Sequence, residues 1–303
     1  MVKVLLSLDF GFGTMNVRNL PDLLRREVVA CGRLFGMHAG LGALQEIAEG
    51  DRAGKGGEDD EDIVTGLGKA FTTFHPGSEN LLPMRKSRFR LATVAELPKS
   101  WVAQGLSNQG QVHLSKGIDH ISPERNITYI VVIFLENERF TPVVVMGTHL
   151  MPGVDSGQAP HDVRLEGRNQ QKAGLDKFAG QVHDAGMNLL FGLDSNWRRM
   201  PKIHTNQVWF ANGTIDKIGY VPAATSNFDM TLNSLERLPD PSDHDFFVAN
   251  LKATANARYK SAHGIEVTDD GKELIVTDTN DNFMICSSPD MTVVEMRDLL
   301  KRA

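Results

Sequence analysis

Four short polar clusters adjoin apolar runs of the sequence, and each carries side chains suited to metal or phosphate chemistry. They are Gln45-Glu46, Thr148-His149, Asp194-Ser195-Asn196 and Ser242-Asp243-His244. Taken singly, each is typical of a surface pair, a turn or a helix cap. Together they bring carboxylates, amides and imidazoles to the ends of predicted strands, which is where ligands collect in open α/β sheets. The combination therefore predicts one functional site built from distant parts of the chain.

The ligand types in these clusters favour a hard divalent cation. Magnesium prefers oxygen ligands and keeps several waters, so one or two carboxylates and a substrate phosphate suffice to hold it. Zinc would require more histidines or cysteines at ligand spacing, and the sequence contains no such motif. We therefore expect a Mg²⁺ site in which Mn²⁺ can substitute.

The elements that position these clusters are predicted from hydrophobic periodicity. Buried strands are predicted over residues 3–10, 126–135, 141–150, 187–193 and 246–251, with a short core strand within 40–47. Helical spacing is found over residues 20–35 and 164–185. Residues 11–13 are expected to form a glycine-rich turn, and residues 64–120 give no clear pattern. Strands that occur both as hairpins and separated by helices favour a mixed α/β sandwich.

Length and charge restrict the class of protein. The chain has 303 residues and a net charge of −6, which opposes general electrostatic attraction to nucleic acid. A nucleic-acid substrate would therefore require a local basic surface or a bound metal. The sequence has neither a secretion signal nor an apolar run of about 18 residues, so we expect a cytoplasmic protein without a membrane span.

Five ordered motifs resemble those of the endonuclease/exonuclease/phosphatase superfamily. They are LQEI around Glu46, GTHL around His149, GLDSN around Asp194 and Asn196, TIDKI around Asp216, and SDHD around His244. The resemblance implies a deoxyribonuclease I-like or exonuclease III-like fold, which is a four-layer α/β/β/α sandwich with two mixed β-sheets. It covers a catalytic domain expected over residues 1–253. Residues 254–303 are expected to form a small extension of three short strands and a helix, reached through a linker over residues 254–263.

The resemblance also implies a role for each matched residue. Glu46 and Asp243 would bind the metal, Asp194 would position or deprotonate the attacking water, and Asn196 would orient the phosphate. His244, paired with Asp216, would stabilise charge on the phosphoryl group, and His149 would be a second phosphate contact. Such an arrangement suits in-line displacement, which needs a positioned water and neutralisation of the phosphate oxygens.

Two features depart from the superfamily pattern. An asparagine that helps to hold the metal normally follows the first strand, and here either Asp9 or Asn16 can fill that position. We favour Asp9, because the better strand precedes it and a carboxylate can replace an amide as a ligand. An acid that pairs with His149 is also expected, and Glu79 is the candidate in the unassigned stretch.

Basic residues near the motifs are candidate phosphate contacts. Arg198, Arg199 and Lys202 closely follow Asn196 and are expected at the rim of the site. A second basic cluster lies in the sequence MRKSRFR, with Arg85, Lys86, Arg88 and Arg90. If both reach the site, they supply the positive groove that a nucleic acid needs.

The leading hypothesis is a Mg²⁺-dependent phosphodiesterase, most specifically a nuclease that hydrolyses DNA or RNA. One alternative is a phosphomonoesterase acting on a lipid, sugar or inositol phosphate. Another is a binding or assembly module that has kept the fold without turnover. The C-terminal extension is expected to bind a protein partner or to mediate self-association, and to contribute nothing to the chemistry.

Overall fold

The computed structural model describes most of the chain, and the described residues form three β-sheets and five α-helices. The described residues are 6–17, 25–47, 59–77, 79–116, 124–155, 157–212, 215–239, 244–262, 265–267, 274–277 and 283–286. Two large sheets face each other, and the third and smallest is formed near the C-terminus.

The first large sheet has six strands in the order β12-β13-β1-β2-β4-β3. Its strands are β1 (Ser7–Asn16), β2 (Leu41–Gln45), β3 (Phe71–Phe74), β4 (Asn80–Arg85), β12 (Phe228–Pro239) and β13 (Asp245–Ala255). β1 and β2 are parallel, and the other neighbours are antiparallel. The sheet is therefore mixed, as the sequence predicts.

The second large sheet has seven strands in the order β10-β11-β9-β8-β7-β5, with β6 also paired to β7. Its strands are β5 (Phe89–Leu91), β6 (Gln109–Ser115), β7 (Arg125–Phe134), β8 (Val143–His149), β9 (Asn188–Asp194), β10 (Val208–Ala211) and β11 (Asp216–Val221). β7 and β8 form the predicted hairpin, whereas β8 and β9 are parallel. β7 to β9 are apolar along both faces because both faces are covered.

Four of the described helices pack on the outer faces of the two sheets: α1 (Arg25–His38), α2 (Asp59–Leu67), α3 (Lys99–Ala103) and α4 (His161–Asp184). A fifth, α5 (Ala257–Ala262), follows β13 and contributes to the core between the sheets. α1 and α2 pack on the first sheet through Phe35 and Ile63, and α4 packs on the second through Leu175 and Phe178. A separate core fills the space between the sheets. The order helix, sheet, sheet, helix is the predicted four-layer sandwich, and none of the described helices is long and apolar enough to cross a membrane.

The first strand is longer than its sequence suggests. Gly11 and Gly13, which we expected in a turn, lie within β1. A Cβ atom at Gly11 would stand 2.5 Å from the carbonyl oxygen of His38, and one at Gly13 would stand 2.8 Å from the ring of Phe35. These glycines therefore permit α1 to approach the sheet closely, and the turn prediction was wrong.

The segment expected to be a linker is ordered structure as far as Ala262. β13 continues to Ala255, and α5 inserts the fully buried ring of Tyr259 into the core between the sheets. Three antiparallel strands follow at β14 (Ile265–Val267), β15 (Leu274–Thr277) and β16 (Phe283–Cys286), where three short strands were predicted. The predicted terminal helix lies outside the described residues.

Candidate active site

Both large sheets bring polar side chains to the same end of the sandwich. In the first sheet β1 ends at Asn16, whose register partner on β2 is Gln45. In the second sheet His149, Asp194 and Asp216 are register partners across three neighbouring strands. The amide of Asn16 donates a hydrogen bond of 3.0 Å to Oδ2 of Asp194 and so joins the two sheets. Four residues predicted for the site therefore meet at this end.

Glu46, His149 and Asp194 form the centre of the cluster. Nε2 of His149 lies 3.5 Å from Oε1 of Glu46 and 3.5 Å from Oδ2 of Asp194. One ligand atom of each residue lies within 4.8 Å of the others. His149 and Asp194 are buried, so their charges interact in an environment with little screening by solvent.

Glu46 carries two signs of a binding residue. Its backbone has a φ of 55°, a conformation that is unfavourable for any residue other than glycine and that concentrates at functional sites. Its Oε2 atom is buried and has no hydrogen-bond partner among the described residues. Burial and the carboxylates of Asp194 and Glu79 raise the pKa of Glu46, although the charge of His149 opposes them. A buried carboxylate oxygen that lies near two further carboxylates fits a cation ligand. The other predicted ligand, Asp243, lies outside the described residues.

Asn16, and not Asp9, lies in the site. Asp9 stands seven residues earlier on β1, which at roughly 3.3 Å per residue places it about 23 Å from Asn16. Its carboxylate is exposed and accepts a hydrogen bond of 2.9 Å from Asn233. The preference for Asp9 over Asn16 at this position was wrong, because β1 extends through the glycines that we interpreted as a turn.

Glu79 lies beside His149, as the sequence suggested. Its Oε2 atom is 3.0 Å from Nδ1 of His149 and also pairs with the guanidinium of Arg125. Nη1 of Arg125 lies 2.8 Å from the same ring nitrogen. The imidazole is thus held at Nδ1 by an ion pair between the buried Arg125 and the half-buried Glu79, which fixes the direction in which Nε2 faces Glu46 and Asp194.

Asp194 and Asn196 are arranged by a tight turn after β9. Oδ1 of Asp194 accepts a hydrogen bond of 2.9 Å from the backbone N–H of Asn196. Asn196 has a φ of 47°, and its side-chain amide donates to the carbonyl of Leu150 at 3.0 Å. Both oxygens of Asp194 are therefore directed, one by Asn196 and the other by Asn16.

Asp216 and His244 form the predicted pair. Nδ1 of His244 lies 3.1 Å from Oδ1 and 3.0 Å from Oδ2 of Asp216. An ionised carboxylate only accepts hydrogen bonds, so Nδ1 donates and the tautomer of the ring is fixed. Burial and the charge of Asp194 raise the pKa of Asp216, although the bond to His244 opposes this effect. Asp194, Asp216 and His244 also offer ligand atoms within 4.8 Å of one another.

The predicted basic rim follows directly on Asn196. Arg198, Arg199 and Lys202 are all exposed. The backbone N–H of Arg198 donates to Asp155 at 3.2 Å, and its carbonyl accepts from Nζ of Lys217 at 3.1 Å. The loop is thus fixed through its backbone, while the three basic side chains face solvent.

The second basic cluster does not reach the site. β4 begins beside the site at Asn80 and ends at Arg85, near the opposite end of the sheet. Arg85 packs its guanidinium over the ring of Phe71. Arg88 pairs with Glu136, and Arg90 binds two glutamates. The condition under which both basic clusters would form a positive groove is therefore not met.

Sequence reasoning missed four charged residues near the site. They are Arg125, Asp155, Arg168 and Lys217. Arg125 and Arg168 are buried, and Lys217 is fully buried, with a pKa lowered by this burial to about 8. The signal that could have found Lys217 is a lysine at the second position of a strand that is otherwise apolar, directly after Asp216.

No protein-family profile and no curated protein sequence matches this chain. Solved structures do match it. A D. rerio TDP2 humanised by 14 mutations superposes with a TM-score of 0.57 at 12% identity, over 80% of this chain and 98% of that one. An endonuclease/exonuclease/phosphatase from Bacteroides vulgatus gives 0.56 at 13% identity, over 80% and 98%. A mannosyl-6-phosphatase from Bacteroides thetaiotaomicron gives 0.53 at 12% identity, over 80% and 99%.

The shared feature of these structures is the fold. Each is covered almost completely, so the similarity extends over the whole sandwich. At such low identity the likeness carries no residue roles and no substrate, since one fold supports many functions. The two-sheet fold that the five motifs implied is the fold of this chain.

Proposed function

We propose that this chain, which has the fold of the endonuclease/exonuclease/phosphatase superfamily, hydrolyses phosphate esters with a divalent cation. The observation that carries the proposal is the junction of the two sheets. There Glu46, whose buried Oε2 atom finds no hydrogen-bond partner in the described part of the chain, lies beside Asp194 and His149, and Asp216 orients His244. A binding module would have no need of so many buried ionisable groups at one point, because burying charge is costly.

Glu46 and Asn16 would hold the cation, with Asp243 predicted as a further ligand. Carboxylate and amide oxygens are the ligands that Mg²⁺ and Mn²⁺ accept. When bound there, the cation neutralises developing charge on the phosphate oxygens. The raised pKa of Glu46 fits this role, since a nearby cation would restore the charged form that burial disfavours.

The remaining steps fall to residues of the chain itself. Asp194 takes the proton of the attacking water, because hydrogen bonds from Asn16 and Asn196 fix its two oxygens. In its imidazolium form, which the adjacent Asp216 carboxylate stabilises, His244 donates from Nε2 to a phosphate oxygen and stabilises the charge there. His149 contacts the phosphate from the opposite side and is held by Glu79.

At finer detail we propose a phosphodiesterase whose substrate is DNA or RNA. Arg198, Arg199 and Lys202 are exposed, and they stand beside the site on the loop that begins with Asn196. Three local positive charges can bind backbone phosphates even though the protein as a whole has a net charge of −6.

A substrate panel tests both levels of the proposal. Supercoiled DNA, single-stranded DNA, RNA, bis(4-nitrophenyl) phosphate and 4-nitrophenyl phosphate are each incubated with Mg²⁺, Mn²⁺ or chelator. We expect metal-dependent hydrolysis of the nucleic acids and the diester, loss of it in Asp194→Asn, and none of this loss in the remote control Asp9→Asn. Hydrolysis of the monoester alone would reject the proposal of a nuclease. If no substrate is hydrolysed, the proposal of a phosphoesterase is rejected.

A further inference from the structure

Lys217 lies beneath the loop that carries the basic rim. It is 0% exposed and directly follows Asp216 on β11. Its ammonium group donates a hydrogen bond of 3.1 Å to the backbone carbonyl of Arg198. Burying an ammonium is costly, so a lysine persists in such a position when its contacts compensate for lost hydration.

Asp155 contacts the backbone N–H of Arg198, the residue whose carbonyl binds Lys217. Its Oδ2 atom accepts the backbone N–H of Arg198 at 3.2 Å, and its Oδ1 atom accepts Nη1 of Arg168 at 2.6 Å. Arg168 is buried on α4, and its guanidinium lies 4.1 Å from the ring centre of Trp197. Two opposite charges from separate elements therefore fix both polar groups of the Arg198 backbone.

This loop also begins under strain. Asn196 has a φ of 47°, and its side chain is bound to the carbonyl of Leu150. Oγ of Ser195 donates to the carbonyl of Ile215 at 2.6 Å and accepts the backbone N–H of Trp197 at 3.1 Å. The strained turn fixes the beginning of the loop, and the contacts from Lys217 and Asp155 fix it two residues later.

We propose that Lys217 and Asp155 are positioning residues that hold the Arg198 backbone so that Arg198 and Arg199 are presented to substrate phosphates. The proposal rests on the proposed function in taking phosphate groups as the ligands. If the loop is fixed before binding, less of its conformational entropy is lost when an extended substrate binds. Loss of the contacts from Lys217 and Asp155 therefore weakens substrate binding, whereas Asp194 and Asn196 keep their own contacts.

The loop contains its own reporter, because trypsin cleaves after arginine and lysine and the rim residues are exposed. Lys217→Met removes the ammonium and keeps an unbranched buried side chain. We expect cleavage after Arg198 and Arg199, mapped by mass spectrometry, to accelerate at least about fivefold, which corresponds to about 1 kcal/mol of loop opening. Cleavage after Lys69, in an exposed turn, is the internal reference.

Kinetics provide the second measurement. For an oligonucleotide we expect KM to rise about fivefold in Lys217→Met, with kcat within about twofold of wild type. Lys252→Met, at a half-buried lysine whose register partner is the remote Asp9, should change neither. Asp155→Ala should reproduce both effects and serves as the test if Lys217→Met does not fold, since the side chain of Asp155 is 38% exposed.

The outcomes separate this proposal from the proposed function. The claim that Lys217 and Asp155 hold the loop is rejected if cleavage after Arg198 and Arg199 is unchanged in the variant. It is also rejected if cleavage after Lys69 accelerates equally. Accelerated cleavage with unchanged KM would show that the loop is held but does not serve substrate binding, which also rejects the proposal. If the wild type hydrolyses no phosphate ester, the proposed function fails, and the cleavage pattern still decides whether Lys217 and Asp155 hold the loop.

Discussion

Glu46→Gln should stabilise the protein without metal and remove its response to Mg²⁺. In the metal-free protein the Glu46 side chain is half-buried, its Oε2 atom has no hydrogen-bond partner within the described ranges, and the carboxylates of Asp194 and Glu79 lie nearby. These effects raise its pKa, so the charged form is disfavoured in the folded state. Glutamine keeps the shape of the side chain and removes the charge. The variant therefore avoids the cost of burying a charge and loses the proposed cation ligand.

The expected sizes are measurable. Leaving a buried polar group unsatisfied costs about 1–3 kcal/mol, and the new amide recovers only part of this. We expect a gain of about 1 kcal/mol, which raises the unfolding temperature by about 2–4 °C for a domain of this size. In the wild type, Mg²⁺ at about 100 times its Kd should add about 2.7 kcal/mol, and in the variant it should add almost nothing.

Thermal unfolding with chelator and with Mg²⁺ measures both effects. A carboxylate whose pKa is raised in the folded state destabilises that state above the raised pKa, and the penalty disappears as pH falls towards its ordinary value of 4.5. The advantage of the variant should therefore be full at pH 8 and vanish at acid pH. Glu61→Gln, at an exposed position on α2, is the control. A variant less stable than wild type in chelator, or equally stabilised by Mg²⁺, would refute the assignment of Glu46.

Three further predictions concern the buried Lys217, the exposed arginines and the C-terminal segment. Burial lowers the pKa of Lys217 from 10.5 to about 8, so its ammonium destabilises the fold below pH 8. Relative to Lys217→Met, the free energy of unfolding of the wild type should rise by about 3 kcal/mol between pH 8 and 10.5, as measured by denaturant unfolding. The double variant Arg198→Ala, Arg199→Ala should bind DNA more weakly than the wild type, whose affinity should fall with salt concentration as expected for roughly two to four phosphate contacts; the variant should show a flatter dependence. Hydrolysis of bis(4-nitrophenyl) phosphate should stay nearly unchanged, and an equal loss of DNA binding and hydrolysis would make these arginines catalytic or structural. Truncation after residue 262 should spare that hydrolysis with a folded core by circular dichroism, whereas truncation after residue 254 also removes the buried Tyr259 and should unfold the protein.

The strands that the sequence predicts well are those buried on both faces. Residues 126–135, 141–150 and 187–193 were recognisable because β-branched and apolar residues run continuously there, and all three are strands. The site residues that follow such strands, His149 and Asp194, could be placed from this pattern alone. The prediction failed at β1, where the glycines that allow α1 to approach are indistinguishable from turn residues in the sequence.

The partners of the supporting charges could not be predicted from the sequence, for a different physical reason. Arg125 meets Glu79 from 46 residues away, and Lys217 meets Arg198 from 19 residues away. Such pairs depend on how the loops return to the ends of the sheets, and hydrophobic periodicity carries no information about that return. Tyr259 was missed similarly, because one aromatic residue in a polar segment can fill the core between two sheets.

The most direct test of the central claim is the rate of bis(4-nitrophenyl) phosphate hydrolysis by wild type and Asp194→Asn at saturating Mg²⁺. Asn16 and Asn196 aim Asp194 at the proposed water, and asparagine cannot accept its proton. Loss of a positioned general base lowers the rate by about 10²–10⁴-fold. We predict metal-dependent turnover in the wild type, a loss of this size in the variant, and an unchanged fold by circular dichroism. Turnover that persists in chelator, or a folded variant as active as wild type, would contradict the account.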